Sequence, residues 1–123
     1  MLDSARLMGF IPTTDYVRAK AFYVGILGLR LVAETEFALV LMSGAITVRV
    51  TKVSDFTPVG FTILGWQVED IAAKVALLTS HGVEFQQYPW MEQDEAGIWT
   101  SPSGAKVAWF HDPDGNLLSL SSE

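Results

Sequence analysis

The chain has 123 residues, half of them apolar and 18% charged, with a formal net charge of −6 and no cysteine. That length and composition suit one compact domain with its own core and exclude a disordered tail. The acidic balance and scattered basic residues argue against nucleic acid as a partner, and the missing cysteines exclude disulfides, thiolate nucleophiles and cysteine-held zinc. Apolar stretches such as Ile26–Val32 and Phe37–Met42 break off well before the roughly 20 residues of a membrane span. Met1–Leu7 carries Asp3 and Arg6 and no apolar signal-peptide core, so a cytoplasmic location with no membrane partner is expected.

In chain order, Met8–Thr13 reads as a strand and Asp15 as the cap of a helix over Tyr16–Leu27, whose apolar face is Tyr16, Ala19, Tyr23 and Leu27. Gly28 closes that helix in the left-handed conformation. Strands are predicted at Leu29–Ala33, Phe37–Met42 and Ala45–Thr51, the last two joined across Ser43-Gly44. Ser54–Gly60, with Asp, Pro and Gly, reads as a linker. The pattern then repeats. Phe61–Val68 is a strand, Asp70 a cap, and Ile71–His81 a helix with Ile71, Val75 and Leu78 on one face. Gly82 is its stop, and Val83–Tyr88, Ala105–Phe110 and Asn116–Ser121 are strands, the last two joined across Asp112-Pro113-Asp114-Gly115.

Sliding Met8–Leu31 against Ile63–Phe85 places Asp15 on Asp70, so the two halves are copies of one unit: strand, helix, three strands. Alone, a copy cannot bury both faces of its sheet. The predicted architecture is α+β: two tandem βαβββ modules, about 5–53 and about 61–123 around a linker at about 54–60, in a single domain spanning 1–123. The modules are expected to form a curved mixed sheet with a shared cleft.

Phe22-Tyr23 followed by Leu27-Gly28-Leu29, with the closing Asp112-Pro113-Asp114-Gly115-Asn116, resembles the vicinal-oxygen-chelate superfamily of glyoxalases, bleomycin-resistance proteins and extradiol dioxygenases. The resemblance covers nearly the whole chain. It implies a divalent metal in the cleft, held in each half by one ligand from the first strand and one from the last. The first-strand positions, seven residues before each capping Asp, are Met8 and Ile63. The last-strand position of the second half, three residues after Asn116, is Ser119. Its counterpart is Val48 when counted from Gly44 and Arg49 when the strand alternation is matched. Side chains alternate between sheet faces, which favours Arg49, because Val48 and Val50 then face the helix. None of these is a competent ligand, so no metal and no cofactor are expected.

The same alternation assigns Met8, Phe10, Thr47, Arg49, Thr51, Ile63, Gly65, Gln67, Ser119 and Ser121 to the cleft floor, an apolar hollow with a few polar groups. Arg49 is expected either to replace the metal's charge and pair with a ligand carboxylate, phosphate or enolate oxygen, or to meet Glu34, Glu36 or water at the sheet rim. Trp90 and Trp99 flank the acidic segment Met91–Gly97, and Trp109 precedes the hairpin, so these three are candidates for a lid or aromatic platform. The resemblance adds that bleomycin-binding members are metal-free and acidic and hold a cationic aromatic drug between aromatic side chains. The function expected is metal-free binding of a small organic molecule, as in sequestration or resistance, by a homodimer. The alternative is a lyase or isomerase of glyoxalase type, or a dioxygenase-like enzyme, with a metal on non-standard ligands or with His111 and Glu92 as acid and base.

Overall fold

The computed structural model describes all 123 residues. Its contacts divide the chain into two units, Met1–Thr57 and Pro58–Glu123, the division falling inside the segment read as a linker. No helix is long and apolar enough to cross a membrane.

The first unit holds β1 (Met8–Thr13), α1 (Tyr16–Lys20), β2 (Arg30–Glu34), β3 (Ala38–Ser43) and β4 (Ile46–Lys52). Its four strands are ordered β1-β4-β3-β2, with β1 parallel to β4 and the other pairs antiparallel. Asp15 caps α1 as the sequence implies, its Oδ1 accepting from Val17 N at 2.9 Å and Arg18 N at 3.2 Å. The helix departs from expectation at Ala21, where it widens into a π-helix over Ala21–Ile26, with Leu27 N donating to Phe22 O at 2.9 Å. Ala19, Phe22 and Tyr23 are all buried, the two rings edge-to-face at 5.1 Å. Neighbouring residues on an α-helix point about 100° apart, and the wider turn lets both rings reach the core.

Ile11, Leu39, Leu41, Val48 and Val50 meet these residues from the sheet. Lys20 pairs with Glu34, and Lys52 lies 5.4 Å above the Tyr16 ring. These contacts fix which sheet face carries the helix. The Tyr16 hydroxyl is shut from solvent without a hydrogen-bond partner, and burial, then Glu34, holds this phenol above its ordinary pKa while Arg49 opposes. A bulge in β2 between Leu31 and Ala33 leaves Val32 unpaired, a feature the strand alternation did not anticipate.

The second unit holds β5 (Leu64–Gln67), α2 (Ile71–Ser80), β6 (Trp99–Thr100), β7 (Lys106–His111) and β8 (Leu117–Ser122), ordered β5-β8-β7-β6 with β5 parallel to β8. Asp70 caps α2 through Ala73 N at 3.1 Å, and Gly82 closes it at φ +92°. Ile71 and Val75 pack against Ala108, Phe110, Leu118 and Leu120, all buried. Two predicted strands differ. Phe61–Val68 shortens to Leu64–Gln67, with Ile63 adding one bond, N to Leu117 O at 3.0 Å. Val83–Tyr88 is not a strand: it touches β7 through a bridge at Phe85 and a bond from Gln86 N to Trp109 O, then lifts away. The Gln93 side chain takes Tyr88 N and Gln86 O, and the edge of the sheet is completed by Trp99–Thr100.

Candidate functional site

Each sheet carries its helix on one face and leaves the other without one. In the first unit that open face is set by register. One row across β1, β4, β3 and β2 is Met8, Thr47, Met42 and Arg30; the next is Phe10, Arg49, Val40 and Ala33. Val48 lies in the core, 1% exposed, opposite Gly9 and Leu41, so Arg49 is the residue of that pair on the open face. Phe10 is 63% exposed there. Glu34 is on the helix side and already paired with Lys20, and Arg49 is not among the ion-paired side chains, which removes the Glu34 pairing considered from sequence.

In the second unit the corresponding rows are Gly65, Ser119 and Trp109, then Gln67, Ser121, Val107 and Trp99. Ile63 precedes β5 with the same parity, and His111 stands on β7 opposite Leu117, exposed. Trp109 lies 6.3 Å from Trp99 and 5.8 Å from Tyr88, which in turn lies 5.1 Å from Trp90. The three tryptophans singled out in the sequence thus form one chain of rings, with Tyr88 as the missing link. Tyr88 lies at the end of the predicted strand Val83–Tyr88, and nothing local in the sequence distinguishes it. Trp66 points to the helix side opposite Leu120. Burial raises the Tyr88 phenol above its ordinary pKa, so near neutral pH it remains an uncharged donor.

The segment between Trp90 and Trp99 is pinned, contrary to the picture of a hinged lid. Gln93 Oε1 accepts from Tyr88 N at 2.7 Å, while its Nε2 donates to Gln86 O at 2.9 Å and Gly97 O at 2.8 Å. Asp94 Oδ1 accepts from Ala96 N at 3.0 Å and Ile98 N at 2.8 Å, so this acid is part of a turn rather than a free charge. Glu92 is exposed and has no hydrogen-bonding or ionic contact that brings it to His111. At the end of β7, Asp112, 5% exposed, binds Asp114 N and Asn116 N at 2.9 Å each and Asn116 Nδ2 at 2.8 Å. The hairpin that aims Ser119 and Trp109 is built on that carboxylate.

Residues 5–120 match the model of the Glyoxalase/Bleomycin resistance protein/Dioxygenase superfamily. The chain belongs to that superfamily. Among solved structures, a glyoxalase family protein from Enterococcus faecalis is 24% identical over 98% of this chain and 99% of its own, with a TM-score of 0.79. The antibiotic-binding protein TnmS3 from a Streptomyces species is 23% identical over 99% and 98%, at 0.72. A lactoylglutathione lyase from Agrobacterium tumefaciens is 15% identical over 97% and 93%, at 0.75. These likenesses establish the fold and leave activity open. No curated protein matches the sequence.

Within the glyoxalase superfamily fold, the positions the resemblance assigned to metal ligands carry a thioether (Met8), a guanidinium (Arg49), an alkyl chain (Ile63) and a neutral hydroxyl (Ser119). A divalent cation there takes imidazole or carboxylate donors, and a fixed Arg charge repels it. No group of three or more His, Cys, Asp or Glu side chains gathers elsewhere. The residues of this superfamily member do not fit the metal.

Proposed function

We propose that the chain binds a small organic molecule on the helix-free faces of its sheets, holding it without a divalent metal and without transforming it. The observation that carries this is the linked set of rings Tyr88, Trp90, Trp99 and Trp109 on the same sheet face as Ser119 and Gln67, where the donor set of a metal enzyme is missing. Aromatic rings give large contact area for little conformational entropy. Met8, Phe10 and Thr47 supply the apolar and polar surround of Arg49 on the first unit's face, and Ile63 extends that of the second. The reading includes a homodimer, since Phe10, Phe37 and Phe61 are each about two-thirds exposed and a second copy would cover such rings; sedimentation giving the mass of one chain would dismiss it.

Arg49, flanked by Phe10 and Val40 and free of an ion pair, is assigned to an anionic group of the ligand. In a thermal-shift screen of anionic and cationic aromatic compounds, anionic hits are expected to lose about tenfold in affinity in Arg49→Ala, the loss of one charge-assisted hydrogen bond. Unchanged shifts would remove Arg49 from the site. Turnover of a hit by the wild-type protein would replace binding with catalysis.

A further inference from the structure

We propose that Gly65 sets the class of ligand taken by the second unit: the floor formed by Gly65 and Ser119 beside Trp109 receives a flat aromatic ring system that carries a carbonyl or hydroxyl and no anionic group. This rests on the small-molecule reading above and narrows it for the second unit's face alone, whose rows carry no counterpart of the Arg49 charge. Gly65, Ser119 and Trp109 are direct neighbours across β5, β8 and β7. A Cβ on Gly65 would stand 2.7 Å from Ser119 Oγ and 3.3 Å from Ser119 O. The serine hydroxyl therefore lies sideways over Gly65, in the space where any other side chain of β5 would rise. Gly65 is not among the glycines with positive φ, so its backbone accepts other residues, and it is the Ser119 hydroxyl above it that a larger side chain would have to displace.

The result is a step. On one side the floor is no higher than a hydroxyl; on the other stands Trp109, backed by Tyr88 at 5.8 Å and Trp99 at 6.3 Å, with Trp90, 76% exposed, beyond Tyr88. A flat ring can lie on such a floor and meet the wall edge-to-face, whereas a puckered aliphatic ring lacks the π-face. The side chains along these two rows are Ser119, Trp109, Gln67, Ser121, Val107 and Trp99, none ionised. An anionic ligand group would lose water there and find no counter-charge, whereas a cationic ring keeps the attraction of the indole faces. Ser119 Oγ and the Gln67 amide both donate and accept, which suits a carbonyl or hydroxyl on the ring.

The test uses three probes of similar size: 1-naphthol, decahydro-1-naphthol and naphthalene-1-sulfonate. Each is titrated into the 15N-labelled full chain while the four indole N–H resonances are followed. 1-Naphthol is expected to shift the Trp109 resonance saturably, and the other two to bind about tenfold more weakly, for want of a π-face or from stripping water from an unpaired charge. Gly65→Ala forces Ser119 Oγ to rotate and raises the floor by a methyl, and should weaken 1-naphthol about tenfold with the indole spectrum otherwise intact. Ser119→Ala should lose several-fold affinity for 1-naphthol yet keep the preference for flat over puckered rings. Equal binding of 1-naphthol by Gly65→Ala and wild type overturns the proposal, as does an equal response to the sulfonate probe; in both cases small-molecule binding itself still stands. Absence of any saturable shift also overturns it, and if the wider thermal-shift screen is equally empty the small-molecule reading falls with it.

Discussion

Replacing Asp112 with alanine is expected to lower stability by about 3 kcal/mol, because three hydrogen bonds to a buried carboxylate disappear and the Asn116 side chain is left without that partner inside the protein. The carboxylate serves Asp114 N, Asn116 N and Asn116 Nδ2 together, and Asn116 is only 3% exposed. Asp112→Asn keeps one oxygen for the two backbone donors but sets an NH2 group against the Asn116 amide, so its loss should be smaller, about 1–2 kcal/mol. Urea unfolding of the two variants reads both values. A loss below about 1 kcal/mol for the alanine variant would mean that the hairpin does not depend on this carboxylate. Gly115, at φ +89° and with Pro58 Cγ 3.2 Å from where its Cβ would be, completes the same turn.

The second large effect is expected at Gln93. Its side chain closes three backbone groups at once, Tyr88 N, Gln86 O and Gly97 O, and Gly97 is buried. Gln93→Ala should cost about 2–3 kcal/mol, since part-buried donors and acceptors are left unmade. It should also weaken a ligand held on Tyr88 and Trp90 by about tenfold, because the segment carrying them loses its tie. Gln93→Glu is the sharper variant. Glutamate still accepts from Tyr88 N but turns a negative oxygen toward two carbonyls, so it should be less stable than the alanine variant at neutral pH. Finding glutamate the milder of the two would show that the amide does not span these groups.

Much of this architecture was legible in the sequence because it rests on local rules. Asp15 and Asp70 cap their helices, Gly28 and Gly82 sit at φ +77° and +92°, and the alternation in β4 separates Val48 from Arg49. The candidate faces followed from that alternation, which is why Met8, Phe10, Thr47, Arg49, Gln67 and Ser119 fall on open faces by register. What was hidden depends on longer-range chemistry. Nothing near Gln93 in the chain announces that its amide will replace a strand partner for Gln86 and Tyr88, and so a strand was expected at Val83–Tyr88 where there is a bridge and a lifted segment. The π-helix arises from two adjacent aromatics competing for one core, which a period of 3.6 residues does not register. Tyr88 joined the aromatic set only through that lifted segment.

The central claim is that this glyoxalase-superfamily chain holds its ligand with side chains alone. Its most direct test is calorimetric binding of the best hit from the aromatic screen, measured on protein with its metal content determined, before and after dialysis against a strong chelator. The account predicts substoichiometric metal and the same affinity in both samples. One equivalent of divalent metal, with binding lost on chelation and restored by adding the metal back, would contradict it.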